Sequence, residues 1–268
     1  MDYNDLFKIE KEGYITWLIL NRPEQLNIMT IKFLEAFVHL FSEFDKDPEV
    51  RVIIIKAEGK SFTAGMDVLE LGALIKGVGA DYRENLRKNI LQLQKGINAI
   101  EKCCKPVIAA VHGYCIGAGL DMISACDIRI ASRDAIFSVR ETKIALIADL
   151  GTLHRLPYII GDGWFRELAL TGRDFTGEEA LKMGLVTHLL EDHDALYKEA
   201  KKLGAELTAN SPLTLQGIKD VILYNRDHGV YAGLEYVAQK NVALLPSEDM
   251  SEAFKAFKEK RTPDFKGK

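Results

Sequence analysis

Pro106-Val107-Ile108-Ala109-Ala110-Val111-His112-Gly113-Tyr114-Cys115-Ile116-Gly117-Ala118-Gly119-Leu120-Asp121 is the stretch from which the fold can be read. Pro106 to His112 is an apolar run without a lysine, arginine or carboxylate, the pattern of a strand covered on both faces. Gly113 to Gly119 is a glycine-rich turn, and Leu120 to Ala125 begins a helix. Strand, small-residue turn and helix in direct succession form a unit that recurs along the chain.

Upstream, Tyr82 to Lys102 carries Ile90, Leu93, Ile97 and Ile100 along one stripe, the spacing of an amphipathic helix. Val52 to Ile55 is a short buried strand, and Phe62 to Leu69 is a loop running into a helix. Ile31 to Asp45 has apolar residues at helical spacing, and Phe33, Phe37, Phe41 and Phe44 read as core. Ile15 to Leu20 is a strand closed by the turn signal Asn21-Arg22-Pro23. Downstream, Asp127 to Ala131 and Ala135 to Val139 are two further strands. From Leu153 the pattern is helical, broken briefly at Gly184-Leu185-Val186. Strands alternating with helices predict an α/β fold. No low-complexity linker separates a second domain, although the helical last third can form a lobe of its own.

The 268 residues suffice for a full core, and a net charge of -4 offers no broad basic field for nucleic acid. An anionic ligand must therefore be met by local donors. Cys103, Cys104, Cys115 and Cys126 have neither C-x-x-C nor histidine spacing, so reduced, mostly buried thiols are expected, with no disulfide framework and no metal site. No run approaches a membrane span. The acidic, mixed segment Met1 to Glu12 and the ending Asp264 to Lys268, which lacks a peroxisomal tripeptide, predict a cytoplasmic protein.

Two segments share a chemical logic: Phe62-Thr63-Ala64-Gly65-Met66-Asp67 and Gly113 through Asp121. At a helix start the first backbone N–H groups lack intrahelical partners, and small residues let a ligand approach them. Two such turns facing one point would hold a developing oxyanion without a charged side chain. Each turn alone is better explained as a tight connection. Gly117-x-Gly119 completes no dinucleotide fingerprint, and no Gly-Lys-Ser/Thr marks a P-loop.

Further motifs carry a family resemblance: Leu20-Asn21-Arg22-Pro23, Phe62 to Asp67, Lys105 to Val111, Gly117-Ala118-Gly119, Ala125 to Arg129, Gly151 to Pro157, and Thr171-Gly172-Arg173 through Gly184-Leu185-Val186. In this order, over nearly the whole chain, they resemble the enoyl-CoA hydratase/isomerase (crotonase) superfamily. The resemblance implies a crotonase-like spiral of repeated β-β-α units over residues 1–200 and a helical trimerisation region over 201–268. It also implies homotrimers or dimers of trimers and a part in fatty acid β-oxidation. The oxyanion hole would map to the backbone N–H groups of Met66 and Ala118, the latter standing where the family often has glycine. Ala64, Gly65, Met66, Asp67, Val68 and Leu69 would line the coenzyme A arm, and Gly119 the thioester pocket. Coenzyme A is then part of the substrate, and no separate cofactor is expected.

Acid–base groups name the reaction. Asp121 opens a helix, Glu141 follows a strand, and Asp149 lies in the apolar run Ile144 to Leu150, where desolvation would raise its pKa toward a useful range. Their bland readings are a first-turn helix residue for Asp121, a solvated strand-end charge for Glu141 and an N-cap before Gly151-Thr152 for Asp149. The resemblance reweights these. Simple hydratases carry two glutamates at the positions of Asp121 and Glu141 and a small residue at that of Asp149. The dienoyl-CoA isomerase branch carries Asp, Glu and Asp, as here, and Leu223 to His228 resembles that branch too. The implied reaction turns a 3,5-dienoyl-CoA into a 2,4-dienoyl-CoA, with Glu141 at C2, Asp149 at C6 and Asp121 setting the local charge. Hydration of a 2-enoyl-CoA is the alternative, and a non-catalytic CoA-binding scaffold the second. Ala145 stands where the branch often has glycine. His112 and His154 read as structural, and Lys258 or Lys260 would reach a neighbouring subunit's CoA if the last helix packs as it does in the family.

Overall fold

Six strands assemble into one sheet in the computed structural model, which describes residue 3 and residues 5–268; Met1, Asp2 and Asn4 of the acidic N-terminal segment lie outside these. The chain runs through β1 (Phe7–Glu12), β2 (Ile15–Leu20), α1 (Ile31–Lys46), β3 (Val52–Ala57), α2 (Val68–Leu74) and α3 (Ala80–Lys102). Next come β4 (Val107–Val111), β5 (Tyr114–Ile116), α4 (Ala118–Ser124), β6 (Ile128–Ser132), β7 (Ile136–Ser138) and a 3-10 turn at Arg140–Ile144. α5 (Thr152–Ile160), α6 (Asp162–Thr171), β8 (Asp174–Thr176), α7 (Gly177–Met183) and β9 (His188–Leu190) lead to α8 (His193–Thr208). The last elements are α9 (Pro212–His228), α10 (Val230–Leu244) and α11 (Glu248–Glu259).

The sheet order is β1-β2-β3-β4-β6-β9, with β1 antiparallel to β2 and every other pairing parallel. Side chains alternate between two apolar layers, as the period of a strand requires. Ile15, Trp17 and Ile19 of β2, with Val52 and Ile54 of β3, pack toward Leu196 and Ala200 of α8. Leu18, Leu20, Ile53 and Ile55 face the larger core, which holds Phe33, Phe37, Phe41 and Phe44 of α1. The four phenylalanines are core residues, as their spacing indicates.

A second, three-stranded sheet, β5-β7-β8, lies beyond the ends of the main strands. β4 is followed by β5 and α4, and β6 by β7 and the following helices. After β3 the chain touches the same layer through a parallel bridge from Thr63 to Cys115 before entering α2. These are the expected β-β-α repeats, and the α/β class with a helical C-terminal region holds. The segment read as a single turn after His112 contains β5, which pairs Tyr114, Cys115 and Ile116 with Ile136, Phe137 and Ser138. β1, β8 and β9 were not anticipated. β1 reads FKIEKE and exposes five of its six residues, so it has no apolar signature, while β8 and β9 span three residues each.

The division expected at residue 200 falls inside α8, whose Ala200 is fully buried against the sheet. Beyond it the packing changes character. In α9 the one residue buried is Lys219, and in α10 it is Gly233. Apolar side chains of these helices stand open, among them Ile222, Val242 and Phe257, and α9, α10 and α11 line a largely apolar, open pocket of about 410 Å³. No helix among the described residues is long and apolar enough to cross a membrane.

Candidate active site

The two small-residue turns lie side by side. Thr63 donates its N–H to Tyr114 O at 2.8 Å, and Ile116 returns its N–H to Thr63 O at 3.1 Å. Gly117 N–H then bonds Ser138 O at 2.9 Å, tying the second turn to β7. The first turn is fixed from its other side, where Gly65 O accepts from Met29 N–H and Met29 O accepts from Asp67 N–H, both at 2.8 Å. Gly65 has φ +90°, and a Cβ on it would meet Ile116 O at 2.7 Å and Ala118 N at 3.5 Å. Only glycine allows this approach.

Among the described residues, the backbone N–H groups of Met66 and Ala118 donate to no acceptor. Ala118 is buried and Met66 half-buried, the two turns meet at Gly65 and Ala118, and two such unpaired donors can cradle an anion. Ala118 opens α4 and is buried. Ala64, Gly65, Met66 and Gly119 border this point. Asp67 does not: its carboxylate caps α2, accepting from Leu69 N–H at 2.8 Å and Glu70 N–H at 3.3 Å. Val68 and Leu69 stand at the open end of the first turn, 64% and 85% exposed.

The three carboxylates share the neighbourhood of the second turn. Asp121, in the first turn of α4, is 1% exposed, and its Oδ1 accepts from Thr152 N–H at 2.6 Å. The donor that α5 leaves orphaned at its start is thus satisfied from α4, and Asp149 plays no capping part there. Burial pushes Asp121 up to about 6, with the Thr152 N–H opposing and the charge of Asp149 adding to the rise. Glu141 sits in the 3-10 turn, 8% exposed, its Oε1 3.1 Å from the place a Gly117 Cβ would occupy. Its Oε2 is buried without a hydrogen-bond partner. Burial, then the charges of Asp121 and Asp149, push Glu141 up to about 7. Asp149 is half-buried, and burial raises its pKa against a contact from its own backbone N–H. Asp121 and Glu141 are raised partly by neighbouring carboxylate charge, so their protons leave in linked steps.

The run Ile144 to Leu150 is less enclosed than its composition implies, with Ile144, Leu146 and Ile147 exposed at the rim. Ala145 has φ 59° and ψ 33°, a left-handed conformation that glycine adopts more easily. His112 is a satisfied buried histidine, bonded to Gly59 O at 2.9 Å and Tyr197 Oη at 3.0 Å, and His154 is exposed on α5. Groups that sequence reading passed over lie on α3, where Gln94 Nε2 donates to Asp149 O at 2.7 Å. The signal was available: Gln94, Asn98 and Glu101 form a polar stripe beside the apolar one. Among the described residues no group of three His, Cys, Asp or Glu side chains has the arrangement of a metal site.

The sequence profile of the enoyl-CoA hydratase/isomerase family matches residues 10–268. The chain belongs to that family. A Dictyostelium discoideum protein named a mitochondrial delta(3,5)-delta(2,4)-dienoyl-CoA isomerase is 43% identical over 99% of this chain and 92% of its own. An Arabidopsis thaliana protein, named as the peroxisomal enzyme, is 42% identical over 97% of this chain and 96% of its own. The crystal structure of an enoyl-CoA hydratase from Bacillus anthracis superposes with a TM-score of 0.90 at 29% identity, covering 98% of this chain and all of that one. For a member of the enoyl-CoA hydratase/isomerase family, an acyl-CoA thioester is the expected substrate class.

Proposed function

We propose that this enzyme isomerises 3,5-dienoyl-CoA thioesters to 2,4-dienoyl-CoA thioesters. The observation that carries the reading is a third, half-buried carboxylate, Asp149, whose charge raises both Asp121 and Glu141 at the turn where the Ala118 N–H is free. The relatives named as dienoyl-CoA isomerases support it. Glu141 takes the proton from C2. The electron pair spreads over C2, C4 and C6 and onto the thioester oxygen, where the Met66 and Ala118 N–H groups hold it. Asp149 delivers a proton to C6, leaving double bonds at C2 and C4. The proton count closes without a redox partner, so the reading calls for no cofactor beyond the coenzyme A of the substrate. Ala64, Gly65, Met66 and Gly119 would flank the thioester, with Asp67, Val68 and Leu69 further out along the coenzyme A arm.

A second reading, hydration of a 2-enoyl-CoA, draws on one feature: the partnerless Glu141 Oε2 beside Asp121 would accept a bond from a water held between them. Incubation with a 3,5-dienoyl-CoA separates the two readings, because the conjugated 2,4-product absorbs where the substrate does not. Hydration of a 2-enoyl-CoA without isomerisation defeats the first.

The exposed apolar side chains of α9, α10 and α11 favour association with further copies of the chain; by the family resemblance this would be a homotrimer or a dimer of trimers, in which Lys258 or Lys260 would approach a neighbour's coenzyme A. Relatives named as mitochondrial and peroxisomal lend no support to the cytoplasmic placement expected from the sequence.

A further inference from the structure

We propose that Glu101 is a positioning residue for the proposed isomerisation, holding Arg155 so that its guanidinium sets the backbone that presents Asp149 and the Thr152 N–H. The inference rests on the isomerase reading for its kinetic consequence but not for its geometry. Arg155 Nε and Nη2 donate to the two oxygens of Glu101 at 3.0 and 3.1 Å, a two-pronged pair with both side chains mostly buried. Nη2 also bonds Asn98 Oδ1 at 2.6 Å, and Nη1 reaches Leu150 O at 3.4 Å. The guanidinium lies directly against Gly151, where a Cβ would stand 1.8 Å from Nη1 and φ is +133°. The segment is therefore moulded onto the arginine, with Asp149 on one side and Thr152, donor to Asp121, on the other. Gln94 secures it further through Asp149 O.

Glu101 accepts from a second guanidinium, that of Arg226 on α9. Burial alone would raise the pKa of Glu101, but the bonds from Arg155 and Arg226 more than offset it and hold the carboxyl down to about 2. It is ionised throughout the working range, unlike the three carboxylates it supports. Gln94, Asn98 and Glu101 follow one stripe of α3, at intervals of four and three residues, so one helix supplies these three contacts. Arg226 lies in the segment Leu223 to His228 that the reaction itself leaves without a part, and the ion pair gives it one.

Glu101→Gln removes the charge while keeping the shape, and Arg155→Lys keeps the charge but cannot span Glu101, Asn98 and Leu150 O at once. Each variant should lower kcat for 3,5-dienoyl-CoA isomerisation at least tenfold with KM changed less than threefold. In Glu101→Gln the uncompensated guanidinium charges should also move the acid limb of the pH–rate profile to lower pH. Amide hydrogen exchange over residues 149–153, read without substrate, should quicken in both variants while the exchange of β2, β3 and β4 stays at the wild-type rate. Unchanged exchange in that segment, or a loss of protection spread evenly over the sheet, overturns the positioning role. Absence of isomerase activity in the wild type refutes the reaction instead, and the exchange comparison still decides the role of Glu101.

Discussion

Replacing Asp121 by Asn keeps the shape of the side chain and removes the charge it must bury. Asp121 is 1% exposed, and burial, with the charge of Asp149 adding, moves its pKa from 3.8 to about 6. A carboxyl whose pKa is raised by folding keeps a proton in the folded chain that the unfolded chain releases. Stability therefore falls as pH climbs from about 4 through about 6, and the cost stays in full above that range. At about 1.4 kcal/mol for each pH unit between the two values, the cost is on the order of 3 kcal/mol. The Asn variant escapes it, and its Oδ1 can still accept from Thr152 N–H. Glu141 also loses a negative neighbour, which works in the same direction. Urea unfolding of both proteins at about pH 4 and pH 8 and one protein concentration reads the effect, with concentration held because association shifts midpoints. The variant should gain up to ~3 kcal/mol on the wild type between the two conditions. A stability gap that is the same at both would show that Asp121 does not titrate in this window and that its burial carries no charge cost.

Three shorter expectations follow from the same geometry. The kcat/KM for isomerisation should rise as pH climbs through about 7, where Glu141 ionises, and in Asp121→Asn that rise should move to lower pH; an unmoved limb would uncouple the two residues. Gly65→Ala forces a Cβ against Ile116 O at φ +90°, so it should cost about 1–3 kcal/mol in thermal melts and at least tenfold in kcat/KM by displacing the Met66 N–H. Wild-type activity in that variant would remove the first turn from the mechanism. Ala145→Gly relieves the left-handed alanine after the 3-10 turn and should raise the urea midpoint by the equivalent of about 0.5–1 kcal/mol, whereas a lower midpoint would mean the conformation carries no strain.

Much of the architecture is legible because it depends on local pattern. The uninterrupted apolar runs of β2, β3 and β4 and the apolar stripes of α1 and α3 each specify their element over a few turns or residues. β1, β8 and β9 escape that reading, since alternating charges or three-residue length leave nothing periodic to detect. At the site, the two turns and the three carboxylates stand out by residue type, and resemblance supplies the link between them. What residue type cannot convey is pairing across long separations. Thr152 N–H finds Asp121 rather than Asp149 because α4 and α5 pack together, a contact spanning 31 residues. Glu101, Arg155 and Arg226 meet from three helices, and each alone reads as an ordinary surface charge. α9 is seated differently from an ordinary amphipathic helix, by Lys219 inserted against Asp127 at 2.8 Å and by Arg226 seven residues later on the same face.

The measurement that bears most directly on the proposed reaction is a pair of assays on wild type and Asp149→Asn: the absorbance of 2,4-dienoyl product formed from a 3,5-dienoyl-CoA, and coenzyme A thioester affinity by calorimetry. The wild type should isomerise, and Asp149→Asn should lose at least a hundredfold in kcat with affinity within a few-fold of wild type, because the group that reaches C6 is gone while Met66, Ala118 and the coenzyme A arm are intact. Full isomerase activity in Asp149→Asn, or a wild type that only hydrates 2-enoyl-CoA, would contradict it.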